Sequence, residues 1–171
     1  MLDSTKYLTL KEDVRLQELL CRFECRDTLM LRLLRKYGMR GSELLGLRKC
    51  DFDAFEGLIR IRGLKGSNDR EFPLTLEFTN RLRRMSFDLQ DEDRIFPLSY
   101  KRLGEIWRMY RQCKKPLHSL RHTCAVEMYR RTKDIMFVKN NLGHKALSST
   151  LIYQAQVNSD AANRKYFCGK A

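Results

Sequence analysis

Arg40, Lys65, His118, Arg121, His144 and Tyr153 are the residues of this sequence whose types and settings suit chemistry on a phosphate. Arg40 lies between Gly38 and a short helical stretch, where its guanidinium can project beside free helix N–H groups. Arg121 follows His118 by three residues, so both lie on one helix face. Two arginine forks can grip the two non-bridging oxygens of one phosphate through charge-assisted hydrogen bonds. Lys65 opens a hairpin turn, where a mobile ammonium can reach a leaving oxygen. His144 follows Leu142-Gly143 at a helix end, and Tyr153 comes nine residues later within the next helix.

The elements that must position these groups are mostly helical. Thr9 and Glu12 read as a capping box before an apolar stripe of Leu10, Val14, Leu16, Leu19 and Leu20. A second helix is predicted to start at Asp27 and to end at Gly38, and a short third one at Ser42-Glu43-Leu44-Leu45. The alternation Leu58-Ile59-Arg60-Ile61-Arg62, the turn Gly66-Ser67-Asn68-Asp69 and Phe72-Pro73-Leu74 then predict strands of a small antiparallel sheet. Helices are expected again at about 75–86, 99–113, 117–131, 134–142 and 147–156, with a separate short one near 160–167. The fold class is therefore mainly α with a small antiparallel three-stranded sheet, in a single domain over residues 1–171.

Composition narrows the function classes. The chain has 171 residues, 43% of them hydrophobic, which is enough for a real core. Its 34 basic and 21 acidic residues give a net charge of +13. The excess is uneven: 15 basic and 4 acidic residues after position 100 give +11. A one-sided excess of this kind points to a polyanion partner, because Lys and Arg that neutralise phosphates release counterions. No apolar run approaches the roughly 20 residues of a spanning helix, and no signal peptide is evident, so no membrane and a cytoplasmic setting are expected. The six cysteines form no Cys-x-x-Cys pair and read as reduced thiols. No metal or other cofactor is expected. A metal-dependent nuclease gathers carboxylates around its ions, and the acidic run Asp91-Glu92-Asp93 reads as a solvated turn.

The local wording resembles the tyrosine recombinase, or phage integrase, family. Tyr37-Gly38-Met39-Arg40-Gly41-Ser42-Glu43-Leu44-Leu45-Gly46-Leu47, followed by Asp51-Phe52-Asp53, is similar to its first box. Leu64-Lys65-Gly66 with Arg70 and Pro73-Leu74 resembles its hairpin lysine segment, and Leu117-His118-Ser119-Leu120-Arg121-His122-Thr123 its His-x-x-Arg box. Leu142-Gly143-His144 with Thr150 and Tyr153 resembles the last box.

The resemblance implies a catalytic domain that cleaves and rejoins double-stranded DNA without metal or ATP. Tyr153 would attack a phosphate to leave a 3′-phosphotyrosyl link. Arg40 and Arg121 would stabilise the transition state, His118 would take or share the tyrosine proton, His144 would donate to a non-bridging oxygen, and Lys65 would protonate the departing 5′-oxygen. Glu43 would support the site, or would simply be an acid at a helix N-terminus. His122 reads as packed or hydrogen-bonded rather than reacting, and Trp107 as core. Lys114, Lys115, Arg130, Arg131 and Lys133 are candidate phosphate contacts or plain solvated charge. Many family members carry a separate N-terminal clamp, and the 39 residues before Arg40 read instead as the catalytic domain's own helices. The tail, 154–171, would dock on a neighbouring copy in a homo-tetramer or pack on its own domain. A non-catalytic DNA-binding module and a type IB topoisomerase-like relaxer are the alternatives.

Overall fold

A computed structural model describes residues 5–64 and 67–168, with the side chains of 164 and 166–168 left aside. Its elements run α1 (Leu10–Cys21), α2 (Arg26–Tyr37), α3 (Gly41–Leu45), a 3-10 turn (Lys49–Asp51), β1 (Phe52–Asp53), β2 (Leu58–Ile61), β3 (Arg70–Pro73), α4 (Leu76–Met85), α5 (Tyr100–Tyr110), α6 (Ser119–Thr132), α7 (Ile135–Leu142) and α8 (Ser148–Cys168). The strands form one antiparallel sheet in the order β1-β2-β3. This is the expected mainly helical chain with a small sheet.

The local rules explain most boundaries. The Thr9 amide donates to Glu12 Oε2 at 2.7 Å, and the Glu12 amide donates back to Thr9 Oγ1 at 3.4 Å, so α1 starts on its capping box. Its buried face is narrower than the predicted stripe. Leu16 and Leu20 are buried, whereas Leu10 and Val14 face solvent. α2 ends at Gly38, whose φ of 61° belongs to the left-handed region that a Cβ disfavours. In the hairpin Ile59 pairs with Phe72, and both turn inward, while Arg60 and Glu71 point out.

Two apolar clusters fill the interior. The larger joins α1–α5 and the sheet through residues such as Leu20, Leu29, Leu33, Ile59, Phe96 and Trp107. Trp107 is core, as expected, and its indole N–H donates to Lys115 O at 2.8 Å. The smaller cluster joins α6, α7 and α8 through Ala125, Val126, Tyr129, Val138, Leu142, Tyr153 and Val157. Arg35 bridges the halves, donating to Asp13 Oδ1 and Oδ2 at 2.7 and 2.6 Å and to Glu127 Oε2 at 2.6 Å.

The C-terminal segment departs from expectation. The break predicted between 156 and 160 is absent, and α8 runs through as one helix of 21 residues. Asp160 explains the continuity. Its carboxylate accepts from Gln156 Nε2 at 2.8 Å, Arg130 Nη2 at 2.9 Å and Tyr7 Oη at 3.3 Å. A residue that would favour a cap in isolation is thus satisfied inside the helix by Gln156 one turn back and by Arg130 and Tyr7 from outside it. Val157, 4% exposed, and Asp160 seat this part of the tail on its own domain. Ala161 and Ala162 are exposed, and the side chains of Tyr166 and Phe167, expected to complete an apolar face with them, lie outside the described residues.

Candidate active site

An open cleft of about 430 Å³ lies between the turn before α3, the start of α6, the turn after α7, and α8. Arg40, His118, His122, His144, Lys145 and Tyr153 line it. Five of the six expected chemistry-bearing residues therefore converge, four on the cleft wall and Arg121 beneath it. The sixth, Lys65, lies outside the described residues.

Arg40 is delivered by the turn between α2 and α3. Its amide donates to Glu43 Oε2 at 2.8 Å and its Nη1 to Glu43 Oε1 at 2.9 Å. Glu43 is both things the sequence left open. It caps the start of α3 and it is a buried hub, because Arg70 also forks onto it, Nη2 to Oε2 at 2.6 Å and Nη1 to Oε1 at 3.3 Å. Arg121 Nη1 stands 3.8 Å from the same carboxylate. Burial alone would raise the Glu43 pKa; the Arg70 pair, with Arg40 and Arg121, outweighs it and holds the carboxyl below its ordinary value. One carboxylate thus fixes three guanidiniums while leaving them an excess of positive charge.

Arg121 is 1% exposed. Its Nη1 donates to Gly38 O at 2.6 Å and its Nη2 to Leu142 O at 2.8 Å. These carbonyls belong to the C-terminal ends of α2 and α7, where backbone acceptors lack helical partners and the helix dipole favours a cation. Arg121 therefore caps two helices at once. Burial, then Arg40, pushes its pKa down to about 10, which leaves it charged at neutral pH.

His144 enters through the turn after α7. Gly143 has φ 69°, and the His144 amide donates to Lys139 O at 3.0 Å. The hairpin loop clamps this turn: the Asn68 amide donates to Gly143 O at 2.8 Å, and Ser67 pairs with His144 in an antiparallel bridge. Ser67 and Asn68 are thereby tied to the cleft. His144 Nδ1 is 2.9 Å from the buried Thr150 Oγ1, so Nε2 is the ring nitrogen left for a ligand. Burial, then Arg121, Arg40 and Arg70, lowers the His144 pKa to about 4.

Tyr153, on α8, is 2% exposed, and burial raises its pKa to about 12. Its hydroxyl lies 3.0 Å from His122 Nδ1. The family resemblance implies that His118 takes or shares the tyrosine proton, yet among the described residues the hydrogen bond is made by His122. His118 is exposed and meets the His122 ring edge-on, with centroids 4.7 Å apart. Partial burial, then Arg121 and Arg40, lowers the His118 pKa.

The candidate phosphate contacts fare unevenly. Lys115 turns inward, donating to Glu12 Oε2 at 2.6 Å and Tyr7 O at 2.8 Å, so its charge is spent inside the fold. Arg130 pairs with Asp160 and Arg131 with Glu127, while Lys133 lies over the Tyr129 ring. These three sit at the far end of α6, about 18–22 Å along its axis from His118 at 1.5 Å per residue. Lys114 remains exposed. The sequence reading gave no role to Arg70 or Thr150, and it gave His122 no partner. Arg70 and Thr150 were visible only as part of the box wording.

The phage integrase family pattern matches residues 6–159. The tyrosine recombinase XerA of Pyrococcus furiosus is 34% identical over 164 residues, covering 86% of this chain and 56% of that protein. The type 1 fimbriae regulatory protein FimE of Escherichia coli is 29% identical over 169 residues, covering 88% of this chain and 85% of that protein. A crystal structure of XerA recombinase superposes with a TM-score of 0.75 at 26% identity, over 96% of this chain and 63% of that one. The chain thus spans a little over half the length of its XerA relative. With the pattern running unbroken through every element that builds the cleft, the chain belongs to the phage integrase family, the tyrosine recombinases.

Proposed function

We propose that residues 1–171 form the catalytic domain of a site-specific DNA recombinase, which cleaves and rejoins double-stranded DNA through a 3′-phosphotyrosyl intermediate without metal or ATP. The observation that carries this reading is the meeting of a buried tyrosine hydroxyl with Arg40, His118, His122 and His144 in one cleft above Arg121.

The scissile phosphate takes its place over Arg40, with Arg121 beneath. Their fixed charges match the extra negative charge that develops as phosphorus becomes five-coordinate. The ion pairs to Glu43 keep the forks oriented before DNA arrives, so little reorganisation remains for the reaction itself. His144 Nε2, aimed by the Thr150 contact to Nδ1, donates to a non-bridging oxygen. Tyr153 Oη attacks and passes its proton to the histidine pair His118 and His122. Lys65 protonates the departing 5′-oxygen. The new ester keeps the energy of the old one, so a second 5′-hydroxyl can reverse the step on another strand. Double-stranded DNA is the partner, and a homo-tetramer on two paired sites completes the exchange.

A nicked suicide duplex carrying the recombination site tests this reading. The wild-type chain should form a covalent protein–DNA adduct that survives denaturant and forms in EDTA, and Tyr153→Phe should abolish it. Wild-type protein that binds the site and gives no adduct overturns the reading.

A further inference from the structure

We infer that His122, through Nδ1, is the group that takes the proton of Tyr153 when the tyrosine attacks and returns it when the strand is rejoined, an inference that rests on the proposed strand-transfer reaction.

The three histidines of the chain all reach this cleft, and their geometry separates them. His144 is parallel to the Tyr153 ring, 16° between planes and 6.5 Å between centroids, with Nδ1 occupied by Thr150. His118 is exposed, and no hydrogen bond joins it to Tyr153 among the described residues. His122 alone places a ring nitrogen on the hydroxyl, at 3.0 Å, within the reach a general base needs. Tyr153 and His122 are held to that distance by α6 and α8, which pack along each other beside Val126, Tyr129 and Val157. A phenol has one proton to donate, so Nδ1 is the bare nitrogen and Nε2 carries the ring proton.

The surroundings keep His122 ready to accept. Burial, then His118, Arg121 and Lys6, lowers its pKa to about 4, so it is uncharged near neutral pH. Arg40, His144 and Lys145 face it across the cleft, and Tyr153 is its neighbour on α8. Proton transfer at rest is strongly uphill, because Tyr153 is raised to about 12. The transfer is therefore coupled to attack. As the Oη–P bond forms and the P–O5′ bond breaks, the phenol proton becomes far more acidic, and the phosphate's negative charge favours the imidazolium. The Oη–H bond breaks, the Nδ1–H bond forms, and Lys65 gives its proton to the 5′-oxygen. Rejoining runs each transfer backwards.

The test compares cleavage rates of wild type, His122→Gln, His118→Gln and Lys65→Ala on the suicide duplex across pH. His122→Gln should cleave about 100-fold or more slower near neutral pH, in the range that loss of a general base produces. Its rate should then climb about tenfold per pH unit, because phenolate must form by simple ionisation below the tyrosine pKa. A 5′-bridging sulfur, which leaves without a proton, should rescue Lys65→Ala and fail to rescue His122→Gln. A His122→Gln rate within threefold of wild type overturns the assignment. So does a slow variant with the wild-type pH profile, or the steep profile appearing in His118→Gln instead. Should His122→Gln not fold, the nitrogen chemical shifts of His122 in labelled wild type decide: a proton on Nδ1 near neutral pH overturns the assignment. Absence of adduct from wild type is a separate failure, that of the strand-transfer reading itself.

Discussion

The two sides of the cleft are built from different chemistry. The side contributed by α2–α3 and β3 holds permanent charge: Arg40 and Arg70 locked onto the buried Glu43, with Arg121 reaching over from α6 to join them. The side contributed by α6, the turn after α7, and α8 holds groups that are neutral at rest: His122, His144 and Tyr153, each shifted by burial toward its uncharged form. The first side suits a charge that appears in a transition state and vanishes again. The second suits protons that must move and come back. Arg121 joins the two, since its guanidinium ties the end of α2 to the end of α7.

The sharpest way to break this division is to remove the carboxylate that organises the charged side. Glu43→Gln leaves Arg70, which is 9% exposed, without its counter-ion and removes one anion from Arg40 and Arg121. Breaking a buried ion pair by removing one partner costs about 3–5 kcal/mol. We expect a loss of that order in urea unfolding, together with a fall in cleavage larger than any fall in DNA binding. A loss under about 1 kcal/mol would mean that the Glu43 carboxylate is not what holds the charged side together.

The joint between the sides is the turn at Gly143, and it is the next target. A Cβ there would stand 2.7 Å from Ser67 Oγ and 2.8 Å from Asn68 O, on a backbone with φ 69°. Gly143→Ala therefore combines a left-handed strain of about 1–2 kcal/mol with a collision that pushes the hairpin loop off His144. The expected result is a loss of about 2 kcal/mol and slower cleavage at near-normal DNA affinity. Gly104, in α5, is the matching control: a Cβ there meets nothing within 4 Å, so Gly104→Ala should gain about 0.5–1 kcal/mol. A Gly143→Ala loss no larger than the left-handed strain alone, with cleavage unchanged, would argue that the loop does not press on the turn.

These contacts also mark what the sequence could and could not disclose. Arg40, His144 and the end of α2 were legible because each lies beside a glycine that stops a helix, a local signal. Lys115 was misread because its partners, Tyr7 and Glu12, lie more than 100 positions away. The His122–Tyr153 hydrogen bond spans 31 residues and two helices, so its existence depends on how α6 meets α8. Helical spacing places His118 and His122 on one face without saying which of them the tyrosine reaches. The uninterrupted α8 has the same origin. Asp160 looks like a helix start in isolation, and only the approach of Tyr7 and Arg130 makes it an interior residue.

Acid titration offers the gentlest test of the comparison, because the two sides should yield to protons in different ranges. His122 and His144 have folded pKa values of about 4, against about 6.5 for an unfolded histidine. Between those values the unfolded chain binds protons that the folded chain does not, so stability falls as pH drops through that window and is complete above it. Glu43 is shifted in the same direction, from an ordinary carboxyl value of 4.5. Its contribution is present above that value and disappears only as pH falls further. Urea midpoints measured against pH should therefore decline in two phases. The His122→Gln and His144→Gln pair should flatten the first and Glu43→Gln the second. A stability curve level from about pH 6.5 to 4.5 would mean that the imidazoles are solvated, and the contrast between a charged and a proton-moving side would lose its electrostatic basis.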